Sequence, residues 1–187
     1  MTRRTLEFLS NDAVSVAREL LGWRFFRVED DGGLTGGAII ETEAYNQTDA
    51  ASHSYHGKTP RTEVMFGPPG GVYVYFTYGM HWCMNIVAGP EGRGEAVLIR
   101  AITPEENVEK MQQRRKNKPL HELTNGPAKV CQALGVTGAD NGSEIGKGRF
   151  MLLPPEGKLP EIQAAERIGI KHDTHRLWRF IATTDTK

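Results

Sequence analysis

Short apolar runs, several of them alternating with polar residues, recur along the chain between turns rich in glycine, proline and aspartate. Such runs are typical of strands, because successive strand side chains point to opposite faces of a sheet. The pattern predicts strands over residues 23–28, 34–43, 72–76, 80–87, 95–102, 150–153 and 177–181. A sheet therefore dominates the predicted fold.

Helical periodicity is confined to a few segments. The sequence Thr-Pro-Glu-Glu at residues 103–106 combines a capping residue, a proline at the first position and acidic side chains in the first turn. It predicts a helix that runs into the basic residues 114–116 and ends at Pro119. Further helices are predicted from a cap at residues 10–12 to Leu21, over residues 128–134, and as a short piece around residues 163–168. The whole pattern predicts one compact α+β domain over residues 1–187, with a mostly antiparallel sheet and flanking helices.

The composition restricts the class of protein. With 39% hydrophobic and 25% charged residues, this chain of 187 residues has an ordinary globular composition. Because it has neither a run of about 20 apolar residues nor the apolar stretch of a secretory signal near its start, we expect no membrane association and no secretion. Cys83 and Cys131 lie in apolar segments and are interpreted as buried free thiols. The 23 basic and 23 acidic residues cancel, so a nucleic acid could be bound only through a local positive field.

Glu43 is the first candidate for chemistry. It ends an apolar strand, and Tyr45 follows it two residues later. A carboxylate beside apolar side chains can serve as a general base, although a solvated strand-end glutamate also fits the residues. Glu41 shares a strand face with Glu43, but two such residues stand side by side about 7 Å apart. That arrangement disfavours a glycoside hydrolase with two carboxylates across a cleft. The polar loop over residues 44–69 is long enough to suggest a functional loop.

Four of the five tyrosines are concentrated in a short stretch of the sequence: Tyr45, Tyr73, Tyr75 and Tyr78. Tyr73 and Tyr75 share one strand face, and Tyr78-Gly79 predicts a bend that turns an aromatic ring outward. A tyrosine-rich core explains this pattern, and so does a pocket that stacks a nucleobase, at roughly 1–3 kcal/mol for each stack. Three histidines in the same region match no zinc spacing, so no metal is predicted: His53, His56 and His81.

Positive charge is concentrated between residues 100 and 129, where seven basic residues stand against four acidic ones. The run Arg114-Arg115-Lys116, with Lys129 at the start of the next helix, is either a solvated helix end or a surface for phosphate contacts. The sequence lacks phosphate-binding and dinucleotide-binding loops and a serine nucleophile motif. Lys58 is the only lysine between residues 34 and 100 and lies in a polar loop, which disfavours Schiff-base chemistry.

Ten short motifs are spread over most of the chain. They are Glu41-Thr42-Glu43-Ala44-Tyr45, Ala51-Ser52-His53-Ser54, Thr59-Pro60-Arg61, Met65-Phe66, Pro69-Gly70, Tyr73-Val74-Tyr75, Tyr78-Gly79-Met80, Cys83-Met84-Asn85, Leu98-Ile99-Arg100-Ala101 and Gly126-Pro127-Ala128-Lys129. Each is weak alone. Their order and spacing together resemble the alkyladenine (3-methyladenine) DNA glycosylase family.

The resemblance implies a single domain with a curved, mostly antiparallel sheet, like the C-terminal domain of methionyl-tRNA formyltransferase. It also implies a monofunctional enzyme of base excision repair that removes alkylated or deaminated purines from duplex DNA. The candidate bases are 3-methyladenine, 7-methylguanine, hypoxanthine and ethenoadenine. On this resemblance we expect a monomer without cofactor, metal or strand-cleaving activity. In a bacterium it would be cytoplasmic and associated with the nucleoid.

The same resemblance implies a role for each candidate residue. In the reaction, Glu43 would activate the water that attacks the sugar C1′, and Arg100 would lie near that water. Tyr45 and Tyr75 would stack on the two faces of the flipped base, and His53 would form a hydrogen bond near the base and its sugar-phosphate. Asn85 would screen substrates by clashing with the exocyclic amine of guanine. On the DNA, Tyr78 would enter the duplex with Met80 beside it, and the phosphate contacts would come from Arg114, Arg115, Lys116 and Lys129. Carbonyl groups of residues 167–170 resemble a segment that helps to hold the water.

Two other hypotheses remain open. A binding module for distorted or single-stranded nucleic acid would use the tyrosines and make Glu43 dispensable. A carbohydrate or formyl-transfer enzyme on a related scaffold would have no affinity for DNA.

Overall fold

One antiparallel sheet organises the computed structural model, which describes residues 3–183. Its strands are β1 (Arg24–Val28), β2 (Leu34–Tyr45), β3 (Val72–Thr77), β4 (His81–Val87), β5 (Ala96–Glu106), β6 (Phe150–Leu153), β7 (Glu161–Ala165) and β8 (Arg179–Thr183). Their order is β3-β4-β5-β2-β1-β6, while β8 pairs with both β2 and β7. All of these pairings are antiparallel. The predicted α+β class with a mostly antiparallel sheet is confirmed.

The sheet curls at β2, its longest strand. β5 pairs along most of β2, whereas β1 pairs with its first half and β8 with its second half. Register shifts interrupt the β2–β5 pairing, and such irregularities bend a strand. Gly36 and Gly37 permit the close approach there, because an added Cβ would lie 2.1 Å from the Phe25 oxygen and 1.9 Å from the Thr103 oxygen. The bend places Glu43 between β5 and β8.

Three short helices pack on the sheet: α1 (Ala13–Glu19), α2 (Val108–Arg114) and α3 (Pro127–Leu134). Asp12 caps α1, since its carboxylate accepts two backbone N–H groups at 3.0 Å each. Gly135 ends α3 in the left-handed region, with a φ of 68°. Shorter 3-10 helices occupy Arg3–Ser10, Glu63–Phe66, Leu120–Glu122 and Gly138–Asp140. In the described part of the chain, no helix has the length and apolar character needed to cross a membrane.

The core has two parts. The main cluster joins all three helices to the sheet, with Leu20, Phe25 and Leu134 fully buried. A smaller cluster around Met65 and Tyr73 lies beneath the loop that follows β2. Burial of the apolar side chains in these two clusters is the main contribution to the stability of the fold. The smaller cluster anchors the loop that forms one side of the site described below.

Two segments predicted to be helical are strands. Residues 103–106 continue β5, and α2 begins only after Asn107. Pairing with β2 overrides the local helix signal there, and Arg24 donates to Glu105 at 2.6 Å beside it. Residues 163–168 were predicted to be helical, but β7 covers the start of this segment and pairs with β8 along its length. A strand partner distant in sequence leaves no trace in local periodicity.

Other predicted boundaries differ by a few residues. α1 ends at Glu19 rather than Leu21, and β8 begins at Arg179 rather than at residue 177. β2 extends to Tyr45, so this tyrosine belongs to a strand and not to the following loop. The strand context fixes the Tyr45 ring more firmly than a loop would.

Candidate active site

A cavity of about 420 Å³ lies against β2, β3, β4 and β5. Residues 50–53 and 168–172 contribute two loops to its wall. Sheet register brings the lining together, because Glu43 lies opposite Leu98 and Tyr73 opposite Asn85 in neighbouring strands. The cavity collects all the predicted catalytic and base-binding side chains and the predicted wedge: Glu43, Tyr45, His53, Tyr75, Tyr78, Asn85 and Arg100.

Glu43 is the fully buried carboxylate of this cavity. Its Oε1 accepts the backbone N–H of Ile168 at 2.8 Å, and Arg100 Nη1 lies 3.3 Å from the same oxygen. Its Oε2 accepts the hydroxyl of Tyr45 at 2.8 Å. All three neighbours are donors, an arrangement that suits an ionised carboxylate. The alternative of a solvated strand-end glutamate is therefore wrong.

Arg100 links the two acidic residues of β2. Its Nε donates to Glu41 Oε1 at 3.0 Å, and Arg179 of β8 donates to the same oxygen at 2.9 Å. Burial opposes the charge of Arg100, but Glu43 and Glu41 offset this effect, and the pKa of Arg100 is raised. The two carboxylates thus share one guanidinium and do not face each other across a cleft.

Tyr45 closes the cavity beside Glu43. Burial and then the neighbouring Glu43 carboxylate raise the pKa of Tyr45 well above its ordinary value. The hydroxyl therefore stays protonated and donates to Glu43. The guanidinium of Arg167 lies 4.7 Å from the centroid of the Tyr45 ring, within the range of a cation–π contact.

Tyr75 and His53 form another part of the wall. The His53 ring stands edge-on to Tyr75 with centroids 4.6 Å apart, and its Nδ1 lies 3.1 Å from the Tyr73 hydroxyl. Although His53 is an exposed residue, the loss of hydration of its ring lowers its pKa to about 4, with a smaller contribution from Arg61. His53 is therefore neutral near pH 7. Tyr73 is buried and stacks on Tyr75, so the tyrosines supply both a core and a cavity wall.

Asn85 and Cys83 of β4 complete the lining near Tyr75. Asn85 is buried, and its amide donates to the Tyr73 carbonyl at 3.4 Å. Burial raises the pKa of the Cys83 thiol, and both Cys83 and Cys131 are buried and free, as predicted. Within residues 3–183, no group of three or more histidine, cysteine, aspartate or glutamate side chains is arranged to hold a metal ion.

The turn between β3 and β4 projects from the cavity rim, and we call Tyr78, Gly79 and Met80 the β3–β4 tip. The Tyr78 side chain is 81% exposed, and that of Met80 is 68% exposed. Tyr78 has a φ of 52°, a left-handed conformation that side chains rarely adopt. The predicted outward bend is confirmed.

The predicted phosphate-binding residues, at the end of α2 and in α3, differ in how far they are engaged within the protein. Arg114 donates to both carboxylate oxygens of Glu29, at 2.9 and 2.8 Å. Arg115 donates to the carbonyls of Leu123 and Glu122 at 3.2 Å each. Lys116 is exposed. Lys129, the last of the predicted phosphate-binding residues, donates its Nζ to Asn125 Oδ1 at 2.7 Å.

Sequence reasoning missed a buried ion pair next to the cavity. Asp49 and Arg167 are both removed from solvent and hydrogen-bonded to each other. Each resembles an ordinary surface charge in the sequence, and they are far apart along the chain, so no local signal could have paired them. Lys171, at the cavity rim, was also missed. Segment 167–170 was expected to help hold the water through its carbonyl groups, and its contact with Glu43 is made by the backbone N–H of Ile168.

The comparisons with known proteins agree with one another. The family described as "Methylpurine-DNA glycosylase (MPG)" matches residues 7–186. A protein of Rhodopseudomonas palustris named "Putative 3-methyladenine DNA glycosylase" is 46% identical over 173 residues, covering 92% of this chain and 81% of its own length. Proteins of the same name from Carboxydothermus hydrogenoformans and Chlorobaculum parvum are 44% and 42% identical. They cover 93% and 98% of this chain and 92% and 88% of their own lengths.

Proposed function

The chain belongs to the methylpurine-DNA glycosylase family, and from this premise we propose that it flips a damaged purine out of duplex DNA and hydrolyses the N-glycosidic bond with a water activated by Glu43. The family makes it a DNA glycosylase, a hydrolase of N-glycosyl bonds that acts in base excision repair. The proposal adds the damaged base, the catalytic residues and their roles. The observation that carries it is the buried Glu43 carboxylate, held by three donors inside a cavity walled by aromatic rings.

Glu43 supplies the base for the hydrolytic step. Oε1 is engaged by Ile168 and Arg100, whereas Oε2 accepts only the Tyr45 hydroxyl among the described contacts and retains an acceptor site. Oε2 takes a proton from the water, the water oxygen bonds to C1′, and the C1′–N bond breaks with its electron pair passing to the purine. A purine carrying a positive charge from alkylation leaves as the neutral base, whereas a neutral purine such as hypoxanthine leaves as an anion that takes up a proton from solvent. The carboxylate also stabilises the positive charge that develops on the sugar.

The aromatic wall holds the flipped base. Extrusion of a base costs a few kcal/mol, and least for a damaged one. Stacking on Tyr45 and Tyr75, at roughly 1–3 kcal/mol each, offsets this cost without reading the sequence. His53, neutral near pH 7, is a hydrogen-bonding partner for the base or its sugar. Asn85 is buried beside them and discriminates against normal guanine, whose exocyclic amine would clash with it. The positive charge of 7-methylguanine makes that base a good leaving group despite the clash.

DNA binding is assigned to the surface around the cavity mouth. Tyr78 enters the duplex in place of the flipped base, with Met80 beside it, and both are exposed enough to do so. Phosphate contacts come from the basic residues Arg114, Arg115, Lys116 and Lys129. Because Arg114 and Arg115 are already engaged within the protein, Lys116 and Lys129 are the stronger candidates among them. The candidate substrates are 3-methyladenine, 7-methylguanine, hypoxanthine and ethenoadenine.

The proposed reaction ends at base release without strand cleavage. A lyase step requires an amine that can attack C1′. The single lysine among the cavity-lining residues is Lys171, which is exposed at the rim. Water activated by Glu43 is therefore the proposed nucleophile, and the chain acts as a monomer.

Single-turnover base release tests the proposal. A duplex with one 7-methylguanine or one hypoxanthine is incubated with wild type and with Glu43→Gln, and abasic strands are revealed afterwards by alkali. We expect Glu43→Gln to bind the duplex and release base at least about 1000-fold more slowly, the scale of a lost general base together with its electrostatic effect.

Glu41→Gln is the matched control, because Glu41 contacts Arg100 and Arg179 but not Glu43 itself. Its rate should stay within about tenfold of wild type. Strands cut before alkali treatment would contradict the absence of lyase activity. Wild type that binds the duplex and releases neither base would favour a nucleic-acid binding module instead.

A further inference from the structure

A buried salt bridge lies beside the cavity and outside its lining. Both Arg167 and Asp49 have fully buried side chains. Arg167 Nη2 donates to Asp49 Oδ1 at 3.0 Å, and Nη1 donates to Oδ2, so the contact is two-pronged. Charges taken out of water need close partners, and the two terminal nitrogens of Arg167 have them, whereas its Nε is buried without a hydrogen-bond partner. The pair ties the loop after β2 to the segment before β8.

Arg167 also touches the elements that carry the proposed chemistry. Its Nη1 donates to the carbonyl of Ala44, the residue between Glu43 and Tyr45, at 3.0 Å. Its guanidinium carbon lies 4.7 Å from the Tyr45 ring centroid and 5.3 Å from that of Trp178. The next residue along the chain, Ile168, donates its backbone N–H to Glu43 at 2.8 Å.

Ile168 lies next to this anchored side chain and has few anchors of its own. Its side chain is 52% exposed, so little apolar packing fixes this part of the loop. The buried side chain of Arg167 is the adjacent anchor. Asp173 supports the same docking, since its carboxylate accepts the N–H of Ala50 at 2.9 Å. A small displacement of Arg167 would move the Ile168 donor and remove the support from the Tyr45 ring.

We propose that Arg167, held by Asp49, is a positioning residue that aims the Ile168 N–H at Glu43 and fixes the Tyr45 ring in the cavity wall. This inference rests on the proposed function. Arg167 does not touch the substrate and acts through Glu43 and Tyr45. Lysine cannot replace it, because an ammonium group lacks the planar fork that binds a carboxylate with two parallel hydrogen bonds and lies flat on an aromatic ring.

The test compares Arg167→Lys with Arg176→Lys. Arg176 is the matched control, because its guanidinium lies 4.5 Å from the same Trp178 ring and pairs with Asp173 but has no recorded contact with Tyr45. Single-turnover base release should fall about 10- to 100-fold in Arg167→Lys, as expected for a misplaced catalytic group. Its Kd for a duplex with an abasic-site analogue should stay within threefold of wild type. Arg176→Lys should release base at the wild-type rate.

A pH–rate profile separates positioning from general damage to the fold. Loss of the Ile168 hydrogen bond makes the ionised form of Glu43 less favourable, so the acid limb should move to higher pH in Arg167→Lys and stay in place in Arg176→Lys. The other charged or titratable groups around Glu43 are Arg100 on β5, Arg179 on β8, Tyr75 on β3, Cys83 on β4, and Glu41 and Tyr45 on β2.

The outcomes are distinct. If wild type releases no base, the proposed function fails and this inference fails with it. If wild type releases base and Arg167→Lys is equally fast, or is slow with an unmoved acid limb, only the positioning role is overturned. Should Arg167→Lys not fold, Trp178→Leu removes the second ring against Arg167 and leaves the ion pair intact. A slower release with the same shift of the acid limb then supports the role, and a wild-type profile overturns it.

Discussion

The cavity and the β3–β4 tip adjoin each other but differ in how their side chains are held. In the cavity, Glu43 is fully buried and each of its carboxylate oxygens has a partner within the protein. At the tip, Tyr78 and Met80 project into solvent. Groups that stabilise charge in a reaction work best when they are fixed in advance. A surface that enters DNA needs the opposite, an apolar side chain left uncovered until the partner arrives.

This difference separates two measurable quantities. Substitutions around Glu43 should change the rate of base release at saturating enzyme and leave the affinity for an abasic-site duplex unchanged, because that duplex places no base in the cavity. Tip substitutions should change the affinity while leaving the saturated rate. A variant that changes both would show that the two regions are coupled.

The largest effect among the further predictions is expected for Arg100→Lys. A lysine keeps the charge but cannot contact Glu41 and Glu43 together in the same planar geometry. We expect single-turnover base release to fall about 100-fold, and the Kd for an abasic-site duplex to change less than threefold. Arg179→Lys is the control, since Arg179 donates to Glu41 and, although it lies opposite Glu43 in the strand pairing, its guanidinium bonds to Glu41 and not to the Glu43 carboxylate. An equal loss in both variants would mean that Glu41, and not Glu43, carries the effect.

A smaller effect, on affinity, is expected for Tyr78→Ala. Loss of one stacking ring, worth roughly 1–3 kcal/mol, should weaken binding to an abasic-site duplex by about tenfold or more. The saturated rate should stay within threefold of wild type, because Glu43 and its donors are untouched. Leu159→Ala removes another exposed apolar side chain, outside the cavity lining, and should change neither quantity. Wild-type affinity in Tyr78→Ala would refute the wedge.

Local sequence patterns predicted much of this molecule. The strands β1, β3, β4 and β6 are within a residue or two of their predicted bounds, and the outward bend at Tyr78-Gly79 is present. These features depend on alternation and on glycine, which act over a few residues. The resemblance of the motifs supplied the candidate residues, and the structure brings seven of them to one cavity.

The remaining features depend on contacts between distant parts of the chain. Residues 103–106 form a strand, and not the predicted helix, because they pair with β2. The donor that Ile168 presents to Glu43 and the pairing of Arg167 with Asp49 also join residues more than 100 positions apart. Neither spacing nor composition carries such information, because burial of a charge is decided by the whole fold.

The smallest effect on DNA affinity is expected at the basic residues, where substitutions of Lys116 and Arg114 can be compared. Lys116 is exposed, so Lys116→Gln should lower DNA affinity only about threefold at low salt and reduce the salt slope by about one.

Arg114 is engaged by Glu29, and despite the opposing effect of burial it helps to lower the pKa of Glu29 to about 2. The contribution of Glu29 to stability is therefore present above its ordinary pKa and lost as the pH falls toward 2. Arg114→Gln should reduce the unfolding midpoint in urea at pH 7 and reduce this acid dependence, with the salt slope of DNA binding unchanged. A salt slope lowered in Arg114→Gln but not in Lys116→Gln would instead assign the phosphate contact to Arg114.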